Sequence, residues 1–289
     1  MVLAVTWGVS FLLMKRGLTI FHYTEVAAIR LSLAGFSLLP VLFIRRKEIP
    51  YDKWKHAVAI SLFGSTVPAI LFPLAQTHIN SSLAGILNSM TPLWVMVLGA
   101  LFFGVSLTQK RVGGILLGLF GAAVLVLFRQ NAHSSVENTN NLYGLFIVLA
   151  TALYGISSNI IGRYMKGVDS ILATAMGLGT VGIPAFLYLI LCTNVPNMLF
   201  TMPAQSTDVP LMMPPFFYIA ILAVVGTAFG SIGYVTLIQR TNPVFASVVT
   251  YIIPIFSIFF GVLDGETLSF IQFCGMALIL SGVYLVNKK

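Results

Sequence analysis

Three basic residues, Lys15, Arg16 and Arg30, stand inside otherwise apolar runs of this sequence. A cation held away from water is costly, so each is a candidate for binding an anion, with a carboxylate as the natural partner. The competing reading is structural: near a helix end, a long basic side chain reaches the lipid headgroups. Lys15 and Arg16 lie toward the end of the first run. Arg30 lies near the start of the second, and its nearest acid, Glu25, is five positions away and off its helical face. A second group is neutral. Ser247, Thr250, Pro254, Ser257 and Gly261 follow in steps of three and four, which places them on one face of a helix. Gly85, Asn88, Pro92, Val95 and Gly99 repeat that stripe earlier in the chain. Small faces serve helix packing in lipid as well as cavity lining. Pro92 and Pro254 each remove a backbone donor and free the carbonyl of Asn88 or Thr250. In apolar surroundings a freed carbonyl needs a partner or a water-filled cavity, which suits a hinge beside a substrate. Trp7, Ser10, Tyr154, Ser157, Ser158 and Asn159 form a third group, usable for substrate contact or for interhelical hydrogen bonds.

Other chemistries find no constellation. His22, His56, His78 and His133 are scattered in or next to polar breaks and form no HExxH. Cys192 and Cys274 have no metal or redox spacing. Gly230-Ser231-Ile232-Gly233 is not a nucleophile elbow, and no P-loop is present to bind ATP. We expect no metal, no cofactor and no enzymatic activity.

The elements that must position these residues are dictated by composition. Of 289 residues, 58% are hydrophobic and 8% charged, against roughly 25% charged in a soluble domain. Only a bilayer accommodates that much apolar surface. The formal charge of +8 would suggest nucleic acid in a soluble protein, but here basic residues are read by position, because they set membrane orientation. No nucleic-acid partner is expected; the partners are lipid and a small-molecule substrate.

Continuous apolar runs predict ten spans, at 2–21, 26–44, 57–77, 81–104, 112–128, 143–162, 170–192, 216–238, 243–263 and 268–286. Their lack of period-two alternation excludes a β-barrel. Arg45, Arg46, Lys47, Lys53, Lys55, Lys110, Arg111, Arg163, Lys166, Arg240, Lys288 and Lys289 fall on one side and Arg129 alone on the other, which makes both termini cytoplasmic. The expected location is a bacterial inner membrane. Span one has only fifteen residues before Arg16, about 22 Å at 1.5 Å per residue, so it either starts within the membrane boundary or continues an upstream extension.

The two halves match. At an offset of 162, Asn80, Ala84, Pro92 and Gly99 meet Asn242, Ala246, Pro254 and Gly261, and Gly64 meets Gly226. At 161, Gly104, Gly114 and Gly121 meet Gly265, Gly275 and Gly282; at 147, Gly8, Ser10 and Arg16 meet Gly155, Ser157 and Arg163. Five spans per half is an odd number, so the halves are predicted to be inverted about a two-fold axis in the membrane plane, as in secondary transporters. The repeats are placed at 1–128 and 143–289, with 129–142 an external polar linker.

At this point the sequence resembles the EamA-type members of the drug/metabolite transporter superfamily. The resemblance covers nearly the whole chain. It rests on WGVSF at 7–11, on Arg30, and on SSLAGILNSMTPLWVMVLGALFFG at 81–104 with its second copy PVFASVVTYIIPIFSIFFGVLDGE at 243–266. Each copy is followed by a glycine-rich span. Gly265-Glu266 keeps the family's Gly-Glu pair, whereas the first half has Gly104-Val105. The resemblance implies a ten-helix carrier with a central cavity for amino acids, other metabolites or drugs.

The expected function is therefore secondary transport, as exporter, facilitator or exchanger, of small polar metabolites such as amino acids. Drug efflux and a channel-like pore are the alternatives. The expected substrate contacts are Trp7, Ser10, Lys15, Arg30, Asn88, Tyr154, Ser157, Asn159 and Thr250, with Pro92 and Pro254 as hinges. All eight acids lie in loops or at span edges, which favours transport down the substrate's own gradient over ion coupling. A cysteine at Ser135 should label with an impermeant reagent in intact cells and one at Asp52 should not; the reverse pattern overturns the orientation.

Overall fold

The computed structural model describes residues 1–106, 108–127, 140–202 and 211–287. The expected linker core, Ser135 and the basic residues Arg129, Lys288 and Lys289 lie outside them. Secondary structure among the described residues is helical throughout. Eight helices are long and apolar enough to cross a bilayer: α2 (Tyr23–Ile44), α3 (Tyr51–Gln76), α4 (Ser81–Phe103), α5 (Gln109–Leu127), α6 (Gly144–Tyr164), α7 (Ser170–Cys192), α8 (Pro215–Arg240) and α9 (Pro243–Leu263). Two shorter ones flank them, α1 (Val2–Gly17) and α10 (Phe270–Asn287). Helix α1 has 16 residues, about 24 Å. It stops at Gly17, short of the expected residue 21.

Local chemistry explains where the helices start and turn. Asn80 and Asn242, matched in the sequence, both act as N-caps: their side-chain oxygens accept from Leu83 N–H at 2.8 Å and Phe245 N–H at 2.9 Å. Asp169 caps α7 in the same way, through Leu172 N–H at 3.0 Å. Glu25 accepts from the His22 backbone at the head of α2, so the acid nearest Arg30 is spent on a capping box. After α4 and α9 the chain turns through Gly104 (φ 73°) and Gly265 (φ 82°), left-handed positions at which glycine avoids Cβ strain.

Four helices are not continuous. Helix α4 breaks after Asn88, and Pro92 sits in the first turn of its second piece, Thr91–Phe103. Helix α9 passes through a 3-10 turn at Val248–Tyr251 before Ile253–Leu263, which carries Pro254 at its start. The prolines thus begin new helices rather than bending old ones, because a first-turn residue needs no N–H partner. The Asn88 carbonyl that Pro92 cannot reach accepts the Thr91 hydroxyl at 2.8 Å. Helices α3 and α8 contain π-helical turns at Leu62–Thr66 and Leu222–Phe229.

Helix pairs meet through glycine. Helices α2 and α7 run antiparallel: Thr24 bonds Tyr188 at one end (3.0 Å), Arg45 bonds Asp169 at the other (2.8 Å), and Gly35 faces Gly182 between them. Helices α5 and α10 also run antiparallel, with Gly114 against Gly282 and Gly121 against Gly275. Contacts between α1 and α9 mirror those between α4 and α6: Gly8 abuts Phe256, and Gly155 abuts the backbone of Trp94. Without a hydrophobic drive between helices in lipid, such close backbone approach supplies the packing energy. At Gly282 a Cβ would strike the Gly114 carbonyl, whereas Gly113 has nothing within 4 Å. Gly282→Ala should therefore destabilise the detergent-solubilised protein by about 1–3 kcal/mol, and Gly113→Ala should leave the thermal midpoint unchanged or slightly raised. Equal midpoints for both variants would contradict this packing.

Candidate functional site

The two π-turns and the two helix breaks surround one space. A cavity of about 1100 Å³, including its mouth, lies among α1, α2, α3, α4, α6, α7, α8 and α9. π-turns displace the side chains that follow them and recur at functional sites. Here they bring Gly64 close to the Ser157 hydroxyl and Gly226 close to the Ser10 hydroxyl. The Trp7 indole donates to the Gly226 carbonyl at 2.9 Å. Thr227, within the second π-turn, accepts from Arg30 Nε at 2.6 Å and donates to the Leu222 carbonyl. The Tyr154 hydroxyl stands beside the Arg30 guanidinium. Across the cavity Tyr234 and Ser158 share a hydrogen bond of 3.0 Å. Aromatic rings form the walls: Trp7 meets Tyr234 edge-on at 5.4 Å, and Phe72 lies between Phe11 and Tyr154 at 5.7 and 5.9 Å. The Ser61 hydroxyl is buried against this space without a protein partner.

Seven of the nine expected contact residues line the cavity: Trp7, Ser10, Arg30, Asn88, Tyr154, Ser157 and Thr250. Asn88 and Thr250 sit at the breaks of α4 and α9, where the backbone leaves its helical path. Two do not line it. Asn159 points into the α4–α6 contact, donating to the carbonyls of Val95 (2.9 Å) and Gly155 (2.8 Å). Lys15 points away to Asp264 (2.7 Å) and Glu266 (3.1 Å), beside an Arg16–Asp264 pair. The prolines flank the site without lining it.

Sequence reasoning passed over Ser65, Phe72, Thr227 and Tyr234. The signal was present: at the offset of 162 already in hand, Ser65 matches Thr227 and Phe72 matches Tyr234. The cavity is in fact lined in pairs. Trp7 with Tyr154 and Ser10 with Ser157 differ by 147; Gly64 with Gly226 and Asn88 with Thr250 differ by 162. Arg30 breaks the pairing, since its counterpart at 147 is Gly177, itself on the cavity wall. Among the lining residues Arg30 alone is ionised at neutral pH, and its partners Thr227 and Tyr154 are neutral.

A bundle of apolar helices around a central cavity is the architecture of a multi-pass membrane protein. The chain belongs to the EamA-like transporter family, whose profile matches it twice, over residues 1–127 and 141–288. It is similar to an uncharacterized transporter of Archaeoglobus fulgidus, 26% identical across 100% of this chain and 98% of that one. The uncharacterized inner membrane transporter YedA of Escherichia coli K12 is 23% identical, over 99% of this chain and 88% of its own. A probable amino-acid metabolite efflux pump of the same organism is also 23% identical, over 99% and 92%. A solved crystal structure shares the fold with a TM-score of 0.63 at 19% identity, covering 99% of this chain and 94% of that one.

The placement of Asn159 separates packing from recognition. Asn159→Ala should cost about 1 kcal/mol of stability, the scale of an interhelical hydrogen bond in a membrane protein. It should leave KM unchanged in reconstituted transport. A raised KM with unaltered thermal stability would return Asn159 to the binding site.

Proposed function

We propose that this protein is a secondary carrier, acting as facilitator or exchanger in export, for small metabolites that bear a carboxylate, amino acids among them. The carrying observation is Arg30. A permanent cation faces the cavity with only neutral partners, and such a charge in a water-poor space favours a compensating anion in the substrate. Trp7, Ser10, Asn88, Tyr154, Ser157 and Thr250 supply hydrogen bonds and aromatic surface around it. The name of the E. coli relative, a probable amino-acid metabolite efflux pump, agrees with this reading.

Movement would come from two inverted five-helix repeats that exchange roles, one conformation opening to each side. The antiparallel pairing of α2 with α7 and of α5 with α10 supports it, because equivalent helices of inverted halves must run in opposite directions. In the orientation we propose, both termini are cytoplasmic and the membrane is a bacterial inner membrane. Among the described residues no carboxylate lines the cavity, which favours transport without an ion gradient. The aromatic walls also suit apolar drugs, but Arg30 opposes cationic ones.

Proteoliposome flux tests both parts. Arg30→Met should lower kcat/KM for amino and organic acids about 10- to 100-fold, the loss expected from a charge-assisted hydrogen bond of roughly 1.5–3 kcal/mol. Arg30→Lys should recover only part, since an ammonium lacks the guanidinium fork. Wild-type counterflow should not require an imposed pH gradient. Strict dependence on that gradient defeats the uncoupled mechanism, and a preference for cationic drugs defeats the role of Arg30.

A further inference from the structure

The ions that Lys15 gathers have no part in the cavity, yet they join the two halves of the chain. Lys15 lies at the end of α1, and its ammonium reaches Asp264 and Glu266, in the turn after α9. Arg16 pairs with Asp264 as well. Glu266 also accepts from the backbone N–H groups of Ser81 and Ser82, both at 2.9 Å, and from the Ser82 hydroxyl at 2.7 Å. Those amides open α4, so the carboxylate sits where a helix N-terminus attracts negative charge. Asp264 and Glu266 are buried. Burial pushes the Glu266 carboxyl up, but the Lys15 charge and the bonds from Ser82 and Ser81 outweigh it and hold it below its usual range.

The internal repeat places a corresponding junction on the opposite face, and there the chemistry is different. Gly162 stands where Lys15 would be, at the offset of 147. Val105 corresponds to Glu266, and Phe103 to Asp264, at 161. Pro243 and Val244 correspond to Ser81 and Ser82 at 162. Both turns close on the matched glycine of the preceding helix: Val105 N–H reaches the Gly99 carbonyl at 3.1 Å, and Glu266 N–H reaches that of Gly261 at 2.9 Å across one residue fewer. The side chains differ more. Valine accepts no hydrogen bond, Pro243 has no N–H to give, and Gly162 packs directly on the Pro243 ring.

We infer that Lys15 and Glu266, closed over the Ser81 and Ser82 amides, are an ionic latch on one face of the carrier, and that the corresponding junction on the opposite face closes through apolar contacts. The inference rests on the alternating-access reading above. To open the Lys15 face, Glu266 must leave both the ammonium and the α4 N-terminus, and each must find new partners. Opening the corresponding junction separates glycine, valine and proline surfaces, and the Arg45–Asp169 pair that also joins the halves on that face is exposed to water and weak. The latch therefore biases the resting population toward conformations closed at the Lys15 face. Removing one charge of the pair should release that bias.

The test measures accessibility from each face. Ser231, on the cavity wall, is changed to Cys in a background carrying Cys192→Ser and Cys274→Ser. An impermeant maleimide is then applied to right-side-out and to inverted membrane vesicles. Wild type should label from both faces, and more slowly from the Lys15 face. Glu266→Gln and Lys15→Met should each raise the rate ratio of the Lys15 face to the other by about fivefold or more. If one variant does not fold, judged by gel filtration in detergent, the other decides alone. A ratio unchanged or lowered, with wild type still labelled from both faces, overturns the latch. Labelling from a single face in every protein defeats alternating access itself.

Discussion

Everything in this protein follows from the absence of water around it. In hydrocarbon each backbone N–H and C=O must find a partner within the protein, and apolar side chains gain nothing by leaving lipid for one another. Continuous helices satisfy the first demand, and close backbone approach satisfies the second. Glycine is what permits it: Gly35 on Gly182, Gly114 on Gly282 and Gly121 on Gly275 draw antiparallel helices together where a Cβ would hold them apart. With the outer pairs fixed in this way, α4 and α9 are free to break. Their broken backbones then lie beside a cavity rather than lipid, the one environment in which such breaks are tolerated.

The cavity inherits its shape from the pairing and its selectivity from the exceptions. Serine matches serine, glycine matches glycine, and the breaks at Asn88 and Thr250 face each other in the sequence register. A space lined by strictly equivalent residues would offer the same surface in both conformations. Arg30, matched in the register by Gly177, gives it one charge without a counterpart. The latch proposed above would use the same device: left-handed turns at Gly104 and Gly265, one followed by valine and the other by glutamate. In the proposed mechanism, equivalence of the halves would permit two conformations, and side-chain difference would make them unequal.

The helical nature of the chain, eight of its membrane spans and part of the cavity lining were legible in the sequence, because hydropathy and internal offsets act locally and leave a linear trace. Seven of nine expected contacts line the site for that reason. What escaped depends on tertiary contact. Helix periodicity placed Pro92 and Pro254 as kinks within helices, but the chain breaks there and restarts, and the Thr91 hydroxyl takes the carbonyl that was left over. The π-turns leave no pattern at a period of 3.6, so Thr227 and Tyr234 stayed hidden although the repeat pointed to them. Asp264 and Glu266 read as loop acids outside the membrane. Only the fold of α9 back over α1 buries them against Lys15.

Lys15 and Arg30 show why an intramembrane cation cannot be judged by position alone. Both sit within apolar runs, and both satisfy the rule that such charges are functional candidates. Their partners separate them. Two carboxylates neutralise Lys15, and its energetic role ends in holding two halves together. Arg30 meets a threonine and a tyrosine, which orient the guanidinium without cancelling it. The group has five N–H donors in a fixed fork, of which the bond to Thr227 uses one, and the residue lines the cavity. Lysine in that place would shed its proton under desolvation and escape the cost, whereas arginine stays charged. If the substrate is the anion proposed above, the site needs a cation that cannot neutralise itself when the cavity is empty, and arginine is the side chain that meets this condition.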